Sequence, residues 1–210
     1  PKSVYIIEFS EAVTYYENDF NSPTSDFVGL GFEVKLETDF SSEAIHSVHP
    51  YTDNTNNSYM LKVPIILSED VTKIKYKDVA IVEPGDPGSV YGDEDFWDYV
   101  VVEGSKDGIN WTEIEDGYDA GSQTQWLSTY NSGGSGTEDM YVEQELDLHN
   151  AFETGDTVIL RFRLYTDAAV TSWGWAIDDL EIVNSGESIN ETNITSDKIT
   201  VYPNPSNGVF

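Results

Sequence analysis

The sequence predicts an all-β fold built as an antiparallel sandwich, and three observations predict it. Apolar and polar side chains alternate in short runs, as in Val158-Ile159-Leu160-Arg161-Phe162-Arg163-Leu164, where Leu160, Phe162 and Leu164 share one face and the two arginines the other. Such runs are separated by Gly, Pro, Asn and Asp clusters along almost the whole chain. The 13 Tyr, 9 Phe and 5 Trp among 210 residues suit half-buried pleated strands, and no long stretch rich in Ala, Leu, Glu and Lys reads as a helix.

Residues 1–16 read as a strand or linker arriving from a preceding region, since neither an initiator Met nor a basic-then-apolar signal peptide opens the chain. The sandwich is expected over residues 17–183, with its best strands at 32–36, 59–67, 73–82, 99–103, 141–146, 157–165 and 173–183. Residues 157–165 predict a strand with one wet face, as in an antiparallel sheet. Glu83-Pro84-Gly85-Asp86-Pro87-Gly88 cannot continue a ladder, whereas Lys106-Asp107-Gly108 supplies the positive-φ glycine of a tight hairpin between residues 100–105 and 111–114. Residues 50–58 and 130–139, rich in Asn, Ser, Gly and Thr, belong at the sandwich ends. Residues 184–197 are polar and read as an interdomain linker, after which Lys198-Ile199-Thr200-Val201-Tyr202 resumes the alternation, so that residues 198–210 begin a further β domain.

Ten Lys+Arg against 39 Asp+Glu give a formal net charge of −29, which argues against nucleic acid or an anionic membrane as a partner and leaves a polyanion that attracts cations. No apolar run approaches the ~20 residues needed to span a bilayer, so membrane insertion is not expected. With no cysteine, disulfides and thiolate metal sites are excluded. Most carboxylates read as solvated surface, and chemistry is sought only where they cluster.

Two resemblances enter here. The segment Val201-Tyr202-Pro203-Asn204-Pro205-Ser206-Asn207-Gly208-Val209-Phe210 resembles the opening of the C-terminal sorting domain of proteins exported by the type IX secretion system of Bacteroidetes. It implies Tyr202, Pro203, Asn204, Pro205, Asn207 and Gly208 as the sorting signal, the type IX machinery as a partner, and an extracellular or outer-surface location. Residues 96–108 with Asn110-Trp111, and Trp173-Gly174-Trp175-Ala176-Ile177-Asp178-Asp179-Leu180-Glu181-Ile182, are similar to jelly-roll modules related to MAM domains and to the C-terminal region of immune inhibitor A-like peptidases. The first piece is then a strand, a turn and an outward Trp, and the second the last strand, closing the sheet. The cysteines of animal MAM domains are absent. Such modules usually accompany a catalytic domain or an adhesin without being enzymes.

The resemblance to these jelly rolls also implies a structural calcium where the first strand meets the last, at Glu17, Asn18, Asp19, Asp178 and Asp179. In strand geometry the last two point to opposite faces, so that one turns inward to the cation. A second acidic cluster, Asp93, Asp95 and Asp98 beside Gly92, offers the oxygen ligands of a hard cation but lacks EF-hand spacing. The pair His46 and His49 has no third nitrogen or thiolate ligand for zinc, and no Gly-x-Ser-x-Gly elbow appears. Tyr118, Trp126 and Tyr130, in the loop-rich middle, are the expected ligand surface. The reading is a non-catalytic accessory module, calcium-stabilised, that binds carbohydrate or protein. Its rivals are the companion domain of a secreted peptidase whose catalytic residues lie upstream, and part of a surface adhesin.

Overall fold

The computed structural model describes residues 7–68 and 71–184. Twelve strands are named in chain order: β1 (Tyr16–Asn18), β2 (Phe27–Gly29), β3 (Phe32–Lys35), β4 (Ala44–Ser47), β5 (Asn56–Leu61), β6 (Ile65–Ile66), β7 (Thr72–Ile81), β8 (Tyr99–Ser105), β9 (Thr112–Glu113), β10 (Val142–Asp147), β11 (Thr157–Tyr165) and β12 (Gly174–Asn184). They form two six-stranded sheets. The first runs β10-β7-β12-β4-β3 with β1 also on β12, and the second β2-β5-β11-β8-β9 with β6 also on β11. Every strand pair is antiparallel, which makes the molecule the antiparallel sandwich of jelly-roll class that its sequence predicts.

The alternation decides which side chains meet between the sheets. In β7, Ile74, Tyr76, Asp78 and Ala80 point inward while Lys73, Lys75 and Lys77 point out. In β11, Val158, Leu160, Phe162 and Leu164 are inward and buried. The core is strongly aromatic: Trp175 is fully buried with its ring 5.6 Å from Phe162 and 6.2 Å from Phe32, and Tyr59 stacks between Phe32 and Phe27.

The structure corrects four details. β12 is not the closing edge of its sheet but its centre, with β7 on one side and β4 and β1 on the other. The run expected as one strand at 59–67 is two, because residues 62–64 break before Pro64, which has no N–H for a ladder. The outer face of β11 is not wet: Arg163 is only 8% exposed, covered by rings. Lastly, the middle of the chain holds a helix, α1 (Thr124–Ser132), which ends at Gly133 in the left-handed conformation, φ 65°. It forms on a poor helical sequence because Trp126 anchors it, fully buried, with Nε1–H donating to the Met140 carbonyl at 3.0 Å.

Candidate functional site

Antiparallel pairing brings the C-terminal ends of β4, β7 and β11 and the N-terminal ends of β5, β8 and β12 to one end of the sandwich. The three loops that connect them, residues 48–55, 82–98 and 166–173, therefore gather there. Tyr51 ties them together. Its buried hydroxyl donates to Asp98 Oδ2 at 2.5 Å and accepts from the Glu83 amide at 3.0 Å, while its own amide donates to the Ser172 carbonyl at 3.2 Å. The other oxygen of Asp98 accepts from the Asp167 amide at 2.8 Å.

Carboxylate oxygens of Glu83, Asp98 and Asp167 thereby lie within 4.8 Å of one another. Burial, and then the neighbouring charges of Asp98, Asp167 and Asp86, push Glu83 up to about 7. Asp98 is pushed up to about 6, again chiefly by burial, against the opposing pull of its bonds to Tyr51 and the Asp167 amide. This is an oxygen-only donor set, suited to a hard cation and not to zinc or copper.

Beside this group a cleft of about 760 Å³ opens between these loops and the end of α1, walled by Thr38, His49, Tyr130, Asn131, Ser172 and Trp173. His49 lies flat on Trp173, with centroids 4.0 Å apart and planes 7° from parallel. The histidine protons follow from the acceptors. His49 Nδ1 sits 2.7 Å from the Trp173 carbonyl, which only accepts, so Nδ1 carries the hydrogen and Nε2 accepts from His46 Nδ1–H at 3.0 Å. His46 Nε2 is then a bare buried lone pair without a partner among the described residues. Burial holds both rings neutral, pushing His46 down to about 3 and His49 to about 4. The histidines thus brace the cleft wall. Trp173 is nearly buried, packed against Gly136, so the ring the cleft offers a ligand is that of half-buried Tyr130.

The sequence-predicted residues divide. Glu17, Asn18, Asp19 and Asp179 border one cavity of about 690 Å³, together with Asp26 and Glu181. Asp178 does not join them. A β-bulge inserts one residue between Asp178 and Glu181, with Asp179 in the left-handed conformation at φ 49°, so Ile177 and Leu180 take the core positions and neither aspartate enters the space between the sheets. Asp178 is buried on the outer face, where it accepts from the Asp179 amide at 2.8 Å and Ser42 Oγ at 3.3 Å, and Asp179 pairs with Lys77 at 2.6 Å.

The cluster of Asp93, Asp95 and Asp98 is not one group either. Asp93 caps a turn through the Val90 amide at 2.9 Å, while Asp98 belongs with Glu83 and Asp167. Among the expected ligand aromatics, Trp126 is wholly buried and Tyr118 donates its hydroxyl to the core carboxylate of Asp78 at 2.6 Å. Both are structural, and only Tyr130 reaches the cleft. The expected sorting residues, Tyr202 to Gly208, and the linker from residue 185 onward lie outside the described residues.

Sequence reasoning missed Tyr51, Glu83, Asp167 and the binding-wall position of His49. The available signal was positional: Glu83 and Asp98 flank the loop between two predicted strands, and Asp167 follows a third, so all three stand at strand ends that antiparallel pairing makes neighbours.

Together these features define a class, the antiparallel β-sandwich domain with a loop-end cleft. Among solved structures the chain is similar to a family 28 carbohydrate-binding module specific for non-crystalline cellulose, at a TM-score of 0.50 and 10% identity over 84% of this chain and 97% of that one. It is also similar to the K1 cleaved adhesin domain of Lys-gingipain from Porphyromonas gingivalis W83, at a TM-score of 0.49 and 11% identity over 81% and 98% of the two chains. At 10% identity the likeness to the carbohydrate-binding module shows the fold alone. No protein-family profile and no curated protein matches the chain. Among the described residues, no helix is long and apolar enough to cross a membrane.

Proposed function

We propose that the chain is a non-catalytic binding module of an exported protein, taking a neutral carbohydrate in the loop-end cleft and stabilised by calcium. The cleft is the observation that carries this reading. The ring of Tyr130 stands among the hydroxyls of Thr38, Ser135 and Ser172 and the amide of Asn131, on loops held by the bonds around Tyr51. A sugar offers such a wall an apolar C–H face for the ring and hydroxyls for the polar groups. The module of like fold is specific for non-crystalline cellulose, which makes soluble β-glucans the first ligands to test. Affinity electrophoresis through gels containing such glucans is expected to retard the protein. The exposed Asn131→Ala should weaken retention by about tenfold at unchanged melting temperature, and Tyr130→Ala by at least as much, with some loss of stability because its ring also packs against the core. Unretarded migration in every glycan, or undiminished retention of both variants, would contradict the reading.

Calcium is proposed at the cavity bordered by Glu17, Asn18, Asp19 and Asp179. These four offer oxygens around one space, with Asp26 and Glu181 adding charge. Existing bonds leave lone pairs free: Asp19 accepts one hydrogen bond, from the Asn21 amide at 3.1 Å, and Asn18 Oδ1 one from Phe20. A cation that binds only the folded state raises its stability, so chelator should lower the melting temperature and Asp179→Ala should remove that difference. Melting that ignores chelator refutes the site; a chelator effect that survives Asp179→Ala but not Asp167→Asn moves the cation to the Glu83 group. Delivery by type IX secretion, with the sorting signal at Tyr202, Pro203, Asn204, Pro205, Asn207 and Gly208, completes the proposal and rests on the resemblance of that segment.

A further inference from the structure

We infer that the outer face of the second sheet carries an anion site, formed by Arg161 and Arg163 beside Trp111 and Tyr99, that takes the carboxylate of an acidic sugar residue. It is separate from the loop-end cleft and does not depend on it.

The charge pairing of the two sheets differs in a way that points to a ligand. On the outer face of the first sheet each lysine has its own carboxylate: Lys73 pairs with Glu145, Lys75 with Glu181 and Lys77 with Asp179. On the second sheet the chain's two arginines share one. Arg161 and Arg163 project from β11 on the same face, and a single oxygen, Glu103 Oε2, accepts from both Nε–H groups at 2.6 and 2.8 Å. Glu113, register partner of Glu103 on β9, is exposed and accepts from the Tyr91 hydroxyl at 3.1 Å, not from either guanidinium. Two cations thus lean on one anion in a protein of net charge −29. An apolar pair on this face would avoid the cost of desolvating three charges.

The guanidiniums are held by their inner edges. With Nε engaged, Arg163 uses Nη1 to donate to the Tyr99 hydroxyl at 3.2 Å, while both Nη groups of Arg161 and Nη2 of Arg163 have no partner among the described residues. The free end of Arg161 is a planar two-donor fork, the shape that a carboxylate accepts from bidentately. Its plane is fixed, because it lies over the Trp111 ring at 4.0 Å, and Arg163 stands 5.2 Å over Tyr99. Arg161 has 21% of its side chain exposed and Arg163 10%, so the part of the pair within reach of solvent is the free end of Arg161.

The surroundings choose the kind of anion. The net charge of −29 disfavours a long polyanion, which leaves a short ligand with one or two carboxylates. On the far side of Arg163, Tyr165 stacks on Tyr99 at 4.9 Å and continues the aromatic border of the pair. A carboxylate attached to a hydroxylated sugar ring with an apolar C–H face, a uronic acid residue, matches both parts.

The test is calorimetric titration of the full chain with digalacturonate, with its methyl ester, and with a short peptide ending in a free carboxylate. Arg161→Gln is the informative variant, since Glu103 keeps Arg163 as its partner and the fold, checked by melting, is preserved. Digalacturonate is expected to bind, and more weakly as salt is added. Its affinity should fall by about tenfold or more on esterification or in Arg161→Gln, with partial recovery in Arg161→Lys. Absence of digalacturonate binding, equal affinity for the ester, an unaffected Arg161→Gln, or equally tight binding of the peptide each overturns the inference.

Discussion

Replacing Glu103 by alanine is expected to cost about 3–5 kcal/mol of folding stability, even though the residue lies on the outer face of its sheet. The side chain is only 4% exposed, and its one oxygen serves two guanidiniums that are themselves mostly covered. Removing it leaves Arg161 and Arg163 facing each other across a partly dry site with no counter-charge. Burial by itself would lower the pKa of Arg163; its bonds to Glu103 and Tyr99 more than reverse that. Glu103→Gln keeps an acceptor oxygen in place but not the charge, so its loss should be intermediate. Urea unfolding measures both, and an alanine variant within about 0.5 kcal/mol of the parent, the usual range for surface positions, would show that the triad is not a structural unit.

The second large effect concerns Asp78, a carboxylate in the core. It is 0% exposed and faces the space between the sheets, where Tyr118 OH, Trp175 Nε1–H and Gln144 Nε2–H donate to it at 2.6, 2.8 and 2.9 Å. No cation is among its hydrogen-bond partners. Burial pushes its pKa up to about 6, against the opposing pull of those three donors. The folded protein therefore holds a proton here that the unfolded chain has released, and this contribution to stability falls as pH rises from about 4 through about 6, by roughly 3 kcal/mol in all.

Asp78→Asn mimics the protonated form, provided the Gln144 amide turns to present its oxygen. It should match the parent near pH 4 and exceed it in stability at pH 8. Asp78→Ala leaves three buried donors without an acceptor and should lose about 3–5 kcal/mol near pH 5. Denaturant unfolding of all three proteins at both ends of this range decides the matter. Loss of stability at pH 8 in the asparagine variant would mean that the ionised carboxylate is compensated by something other than these donors. Glu83, Asp98 and Asp178 are also raised and add to this fall, whereas the buried His46 and His49, pushed down, oppose it, so the difference between variants is the quantity to read.

The sheet was legible where alternation is strong. Residues 157–165 form β11 over the expected span, and the hairpin between β8 and β9 turns where Asp107-Gly108 requires, with Gly108 at φ 71°. The short strands β1, β2 and β4 are too brief to show a period, and α1 forms where no helical pattern exists because a buried tryptophan supplies from the tertiary structure what local propensity lacks.

The candidate sites were legible only in part, because they are assembled across the chain. Tyr130 and the acidic groups around Asp19 and Asp179 were in view, but the bulge at Asp179 hides in sequence: one inserted residue changes the face of everything before it. Asp78 was within reach, since it stands in phase with Ile74 and Tyr76 on the inward face of β7, and an acid in that phase marks a buried carboxylate. The sharing of one glutamate by two arginines depends on the register of β11 with β8, which pairs Arg161 with Glu103 and which no spacing within either strand reveals.

The most direct test of the central proposal is a titration of the protein with soluble β-glucan oligosaccharides, followed by the amide resonances of the assigned chain. Saturable shifts are expected at His49, Tyr130, Asn131, Ser172 and Trp173, around the cleft at the loop end, with the outer face of the second sheet unmoved. Saturable shifts confined to any other surface, or none with any neutral glycan, would contradict the account.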